Sequence, residues 1–188
     1  LLRWRHPRFG EVGPAVFVPV AERHGLIDAL GRWVLDRVCR QIRDWIAAGV
    51  PFGRVSINLS PQQLASGERV AAFVAIVDEY RVPWHALEFE IAEAAWFAAG
   101  RGLVDALAAL QARGARVAID NFGTRYSPLL ACRSLNANSL KLDRLCIGSL
   151  DDVEAARAVR DTIALAHNLG MAVVAEGVEK PAQVGMLE

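Results

Sequence analysis

Apolar residues recur at steps of three and four between Leu26 and Ala48, a spacing that places them on one face of an α-helix. Gly49 follows as a helix stop. Similar patterns predict helices over Leu103 to Ala112 and over Asp151 to Leu169, each with a glycine close behind it. Because each helix has one apolar face, each must pack against another layer of structure.

Short apolar segments lie between these helices and predict β-strands. The predicted strands are Val55 to Leu59, Leu87 to Ile91, Arg116 to Asn121, Ser139 to Leu142 and Met171 to Ala175. Residues 1–4 are interpreted as the end of a sixth strand, and Ser60-Pro61 predicts a helix start with serine as N-cap. Successive strand ends are 21 to 35 residues apart, close to the length of a βαβ unit, so the strands are expected to be parallel.

Five of these strands end on a carboxylate, a carboxamide or a lysine. The residues are Asn58, Glu90, Asp120 with Asn121, Lys141 and Glu176. The carboxyl ends of the strands of a β/α barrel gather an active site in this way, so we predict an α/β fold with a TIM-type barrel. A doubly wound sheet is the competing architecture, but its ligand groups would concentrate at one switch point. With about six strands where a closed barrel has about eight, the barrel is incomplete as given.

Composition narrows the classes of function. The 188 residues, 53% of them hydrophobic, suit a single domain over 1–188. Lys+Arg and Asp+Glu number 21 each, so no global basic field indicates a duplex nucleic acid partner. Cys39, Cys132 and Cys146 are predicted to be reduced, buried thiols, which favours a cytoplasmic location. The sequence has no apolar run of membrane-spanning length, although the parent protein could be anchored to a membrane elsewhere.

The strand-end residues form an all-oxygen set that suits Mg²⁺, Mn²⁺ or Ca²⁺ and does not suit zinc. Lys141 adds one positive charge that can hold a phosphate or a water molecule. Bound metal ions lower the pKa of water and neutralise charge on a phosphoryl group, so phosphodiester hydrolysis is the reaction that this set favours. The alternative is that strand ends are polar only because they meet solvent.

Six ordered motifs resemble the EAL domain, the cyclic di-GMP phosphodiesterase family, over the whole chain. The matching stretches are residues 1–7 (LLRWRHP), 56–60 (SINLS), 88–93 (EFEIAE), 120–124 (DNFGT), 140–143 (LKLD) and 175–179 (AEGVE). The resemblance implies a modified TIM barrel that cleaves cyclic di-GMP to linear pGpG with one or two Mg²⁺ or Mn²⁺ ions. It also implies that the glutamate after which the family is named lies before Leu1 and that the last strands lie after Glu188. We therefore expect the chain to be a fragment.

The resemblance also assigns roles to single residues. Metal ligands would be Asn58, Glu90, Asp120, Asn121 and Glu176, and Lys141 would position the attacking water as a catalytic residue together with Glu176. Arg3 would contact a ligand phosphate, and Ser60 and Gln63 would reach a guanine base. Glu93 and Glu179 would support the site.

Three positions depart from the family pattern. Asn121 stands where the family has a second aspartate, so the second metal loses a negative charge from its ligands and its affinity should fall. Arg125 replaces a glycine; it either obstructs metal loading or pairs with a ligand phosphate or with Glu93. Ala92 removes a threonine hydroxyl, a smaller change. We therefore expect impaired catalysis.

Three hypotheses remain open from the sequence. The chain is a cyclic di-GMP phosphodiesterase with a degenerate site, or an inactive signalling module that binds cyclic di-GMP or a protein partner, or a structural scaffold. By resemblance, a homodimer and GGDEF, PAS or other signalling domains in the parent chain are expected partners.

Overall fold

Residues 2–95, 101–123 and 135–187 are described by the structure, a computed structural model. They belong to two compact units. The first unit comprises Leu1–Pro51 and Gln62–Val82, and the second comprises Phe52–Pro61 and Pro83–Glu188.

The first unit begins with an antiparallel hairpin, β1 (Trp4–His6) and β2 (Gly10–Val12). This differs from the predicted strand over residues 1–4, because Leu2 and Arg3 lie outside any strand and Trp4 pairs with Val12. Pro7 favours a turn between the two strands, and so does Gly10, because its φ of +70° suits glycine.

Three helices complete the first unit: α1 (Pro14–Arg23), α2 (Ile27–Ala47) and α3 (Gly67–Tyr80). The sequence prediction for α2 is confirmed to within one residue at each end. α2 packs on α3, and a hydrogen bond of 2.6 Å from the Tyr80 hydroxyl to Asp36 ties the two helices at their edge. Cys39 is fully buried in α2, and this burial, together with the charge of Asp36, raises the pKa of its thiol to about 12. It is therefore an inert core thiol.

The second unit is built on a parallel sheet of five strands in sequential order. The strands are β3 (Val55–Asn58), β4 (Leu87–Ala92), β5 (Arg116–Phe122), β6 (Ser139–Leu142) and β7 (Ala172–Ala175). All five parallel strands predicted from the sequence are thus confirmed. The order contains no reversal, which is the arrangement of a β/α barrel and not that of a doubly wound sheet.

Helices follow the strands of the second unit: α4 (Arg101–Gln111), α5 (Arg144–Gly148), α6 (Val153–Asn168) and α7 (Pro181–Leu187). Short 3-10 turns occur at Pro61–Leu64 and Trp84–Ala86. The helix predicted to begin at Ser60-Pro61 is therefore only a 3-10 turn, and the α-helix after it begins beyond Ser66, whose side chain accepts a hydrogen bond from the Arg69 amide. Among the described helices, none combines the length and the apolarity that a membrane span requires.

The two faces of the sheet differ in chemistry. Leu87, Phe89 and Ile91 alternate along β4 and are at most 1% exposed, as are Val117 and Ile119 of β5. The residues between them, among them Glu88 and Glu90, lie on the opposite face, because successive strand side chains alternate. One face therefore forms an apolar core, and the other carries charged groups.

Candidate functional site

Lys141 lies at the centre of the charged face. Its ammonium Nζ is 2.6 Å from Glu176 Oε1, 3.0 Å from Glu90 Oε1 and 3.5 Å from Asp120 Oδ1. These four residues come from four different strands or strand ends, 35 or fewer residues apart in succession. The structure thus brings together four of the residues that the sequence singled out.

The register of the sheet explains this convergence. Asn58 of β3 pairs with Glu90 of β4, and Lys141 of β6 pairs with Val174 of β7, two residues before Glu176. Parallel strands in sequential order bring their carboxyl ends to one edge, and the pleat turns every second side chain to the same face. The backbone amide of Glu176 donates to Leu142 O at 3.0 Å, which holds the chain beside β6 beyond the end of β7.

The electrostatics of this cluster are unbalanced. Glu90 and Asp120 are buried, at 4% and 8% exposure, and Lys141 is the positive group in contact with them. Burial alone would lower the pKa of Lys141, but its hydrogen bonds to Glu176 and Glu90 and the charge of Asp120 raise it well above its ordinary value. Three carboxylates against one ammonium leave two negative charges in excess. Because Glu176 is 40% exposed, one of these excess charges lies among the buried groups, and buried excess charge is costly.

The residues fit a divalent cation by donor chemistry and charge. Their side chains offer carboxylate oxygens, and Asp120 Oδ1 is buried without a hydrogen-bond partner. As the side chains stand, the carboxylates converge on Lys141, and the described ranges contain no group of three or more His, Cys, Asp or Glu arranged to enclose an ion. The excess negative charge and the Asp120 oxygen that accepts no hydrogen bond support a cation site beside Lys141.

Asn58 and Asn121 flank this cluster. Asn58 ends β3 directly beside Glu90. Asn121 has a φ of +54°, and its Nδ2 donates to Asp120 Oδ2 at 3.0 Å. Asn121 therefore contacts a cluster residue through its amide nitrogen.

The remaining predicted site residues lie in varied settings, and their assigned roles stay predictions. Glu93 is 1% exposed; its Oε2 accepts from the Gly123 amide at 3.2 Å, and its Oε1 is buried without a hydrogen-bond partner. Glu179 is exposed, three residues after Glu176. Ser60 lies between β3 and the 3-10 turn that follows it.

Arg3 and Gln63 belong to the first unit, and Arg125 lies outside the described residues. Arg3 pairs with Glu11 at 3.5 Å on the exposed hairpin. Gln63 is 3% exposed and donates to the Ile27 carbonyl at 2.9 Å, which gives this residue a structural role in its own unit. Its proposed contact with a guanine base stays a prediction.

Gln183 is a residue that the sequence analysis missed. It is 6% exposed, and its Oε1 accepts from the amides of Glu179 and Lys180 at 2.8 Å each, while its Nε2 donates to Ile147 O at 3.1 Å. The side chain therefore ties the segment after Glu176 to α5. Part of the signal was present in the sequence, because a glutamine two residues after a helix-starting proline lies at N3, from where its side chain can reach back to the N-cap amide. Lys180 at the N-cap lacks the hydroxyl that would complete a capping box.

Gly177 fixes the direction of the chain directly after Glu176. Its φ is +76°, and a Cβ at this position would lie 2.7 Å from Arg144 Cβ and 3.3 Å from Arg144 Cα. We expect Gly177→Ala to lower the free energy of unfolding by about 1–3 kcal/mol, because both the strained φ and the crowding oppose it. Urea unfolding measures this loss.

Gly185→Ala is the matched control for Gly177→Ala. Gly185 lies in α7, and a Cβ there meets nothing within 4 Å. This variant should be neutral or slightly more stable, because alanine favours a helix. Equal effects of the two substitutions would contradict a special role for Gly177.

Comparisons with known proteins agree on one family. The model of the EAL domain matches residues 1–188. Over 185 residues the chain is 40% identical to a bifunctional diguanylate cyclase/cyclic di-GMP phosphodiesterase, MucR, of Pseudomonas aeruginosa, covering 97% of this chain and 27% of the relative. It is 38% identical to the cyclic di-GMP phosphodiesterase NbdA of the same organism, covering 100% of this chain and 24% of the relative. The chain thus spans about a quarter of the length of these curated relatives.

Solved structures agree with the sequence comparisons. The structure described as the PaMucR phosphodiesterase in complex with c-di-GMP matches with a TM-score of 0.90 at 38% identity, covering all of this chain and 76% of that one. The EAL domain of Mycobacterium smegmatis DcpA matches with a TM-score of 0.75 at 36% identity, covering 84% of this chain and 72% of that one. EAL structures are TIM-like barrels, which confirms the predicted fold class.

Proposed function

Since the chain belongs to the EAL domain family, we propose that it binds cyclic di-GMP at the Lys141 cluster and hydrolyses it to linear pGpG at an impaired rate. The observation that carries this proposal is the convergence of Glu90, Asp120 and Glu176 on Lys141. Relatives named as cyclic di-GMP phosphodiesterases support the choice of substrate.

Metal dependence is general among EAL phosphodiesterases. In this chain Glu90, Asp120 and Glu176 would hold the cation through carboxylate oxygens, with Asn58 and Asn121 offering amide carbonyl oxygens. We propose Mg²⁺ or Mn²⁺, and a second cation would bind weakly because Asn121 is neutral. When bound, such a cation supplies a more acidic water and neutralises phosphoryl charge.

Lys141 contributes a positive charge and a fixed set of hydrogen-bond donors to the site. Lys141 presents N–H donors and no acceptor, so it orients a water or a phosphate oxygen and does not take up a proton. Its contacts with Glu90 and Glu176 fix its side chain on the sheet face. In the reaction the water oxygen bonds to one phosphorus and gives up a proton, one P–O ester bond breaks, and the leaving oxygen takes up a proton, so that one water molecule is divided between the two new ends of pGpG.

The second candidate function is a signalling module that binds cyclic di-GMP without turnover. Asn121 favours it, because this residue gives Asp120 an amide donor where the family pattern has a carboxylate. The parent protein would then transmit the binding event to other domains. A diguanylate cyclase activity in the name of one relative supports further domains, such as GGDEF, in the parent chain. PAS modules, a homodimer and a cytoplasmic location stay predictions.

Two measurements on the purified protein test these functions. Calorimetric titration with cyclic di-GMP in Mn²⁺ should show binding, and chromatography should show slow formation of pGpG. Asn121→Asp combined with Arg125→Gly should increase the rate of hydrolysis if these two positions impair it.

The possible results separate the two candidates. Binding without pGpG, even in the double variant, leaves the signalling module and overturns hydrolysis. The absence of binding both in Mn²⁺ and in EDTA overturns both functions.

A further inference from the structure

Asn121 holds an unusual place at the end of β5. Successive side chains of a strand point to opposite faces, yet the side chain of Asn121 reaches that of its neighbour Asp120. Two features permit this contact. The pairing of β5 with β6 is irregular between Ile119 and Phe122, and the φ of Asn121 is +54°, a region that asparagine tolerates better than most residues.

The chemistry of the contact allows only one orientation of the amide. A carboxylate offers only acceptors, so the group that bonds to Asp120 Oδ2 at 3.0 Å must be the Asn121 NH₂. An aspartate on the same backbone would replace this donor with a second carboxylate at about hydrogen-bond distance from the first. Two such carboxylates repel each other unless a cation or a proton lies between them.

The two carboxylate oxygens of Asp120 have different partners. Asn121 takes Oδ2, and Oδ1 is the buried oxygen without a hydrogen bond that lies 3.5 Å from Lys141. The Oδ1 oxygen of Asp120 therefore lies toward the ammonium of Lys141, which Glu90 and Glu176 also contact.

We propose that the Asn121 amide takes the place of a cation as the partner of Asp120, so that Asp120 is held in its orientation without a divalent ion. This inference rests on the cation site of the proposed function. It follows that the stability of the strand-end cluster depends little on Mg²⁺ or Mn²⁺ in this chain, and that Asn121→Asp makes it depend on them.

Thermal unfolding in EDTA and in Mn²⁺ tests the proposal, with Mn²⁺ as the probe. The unaltered protein should show a small rise in Tm on addition of Mn²⁺. Asn121→Asp should lose roughly 2–4 °C in EDTA, because two carboxylates then face each other, and should regain most of it in Mn²⁺. Calorimetry should find tighter Mn²⁺ binding in Asn121→Asp than in the unaltered protein, because the variant adds a carboxylate to the possible ligands.

Asn136→Asp is the matched control. Asn136 also has a positive φ, +47°, but it is exposed, so the same substitution should change Tm equally in EDTA and in Mn²⁺. If Asn121→Asp does not fold in EDTA, Asn121→Gly serves as a second variant, because glycine keeps the backbone geometry without adding charge. It should fold in EDTA and respond to Mn²⁺ more than the unaltered protein does, because Asp120 has lost its amide donor, but less than Asn121→Asp, because glycine adds no second carboxylate.

The proposal fails if the unaltered protein and Asn121→Asp respond equally to Mn²⁺, or if Asn121→Gly responds as strongly as Asn121→Asp. No nucleotide is present in these measurements, so a failure to bind cyclic di-GMP would overturn the proposed function and leave this result in place. If the unaltered protein binds Mn²⁺ but the Tm differences are absent, only the present inference falls.

Discussion

Replacing Lys141 with methionine should lower the free energy of unfolding by about 3–5 kcal/mol, measured by urea unfolding in EDTA. Methionine keeps most of the length of the side chain but removes the charge. Glu90 and Asp120 would then lie buried beside Glu176 with no ammonium in contact, and an uncompensated buried charge is far more costly than a lost surface pair. EDTA removes free cations that would otherwise substitute for the lysine.

Lys180→Met is the matched control for this experiment. Lys180 pairs with Asp151 at 2.9 Å, but both side chains are at least 60% exposed. Solvent screens an exposed pair, so it contributes little to stability and this variant should unfold nearly as the unaltered protein does. If the two lysine variants lose the same stability, Lys141 does not hold the carboxylate cluster together.

Replacing Asp120 with asparagine should weaken Mn²⁺ binding at least about 100-fold. Changes to groups that only support a metal ligand cost 10–100-fold in affinity, so the loss of a ligand carboxylate should cost at least as much. Asp120 contributes the buried oxygen without a hydrogen bond, and its charge is one of three that face Lys141. Calorimetric titration with Mn²⁺ measures the change, with circular dichroism to verify folding.

Asp151→Asn is the matched control, because it makes the same substitution at a carboxylate that does not contact Lys141. Asp151 is exposed and pairs with Lys180, so Mn²⁺ affinity should stay unchanged. Equal Mn²⁺ affinity in the Asp120 and Asp151 variants would place the cation elsewhere and contradict the ligand set.

Much of the candidate site could be predicted from the sequence, because the signal repeats. One polar residue at the end of one apolar segment carries little information, whereas Glu90, Asp120, Lys141 and Glu176 follow the same rule on four strands. Parallel strands in sequential order must bring such residues to one edge. The convergence on Lys141 is therefore a consequence of architecture, and the architecture follows from the alternation of strands and helices.

Local interpretation failed where the outcome depended on partners distant in sequence. Residues 1–4 have the composition of a strand end, but Trp4 pairs with Val12 in a hairpin instead. Ser60-Pro61 has the residues of a helix start, yet the α-helix begins only after Ser66.

The amino-acid sequence by itself determined the family, the five parallel strands and the set of charged residues at their ends, because hydrophobic periodicity and motif order are properties of the chain alone. Tertiary structure alone decided which atoms meet: Lys141 Nζ lies among three carboxylates, Asn121 donates to Asp120, and Gln183 ties the segment after Glu176 to Ile147. The physical reason is that strand register, backbone φ and burial set distances of a few ångströms, and hydrogen bonds and ion pairs depend on such distances.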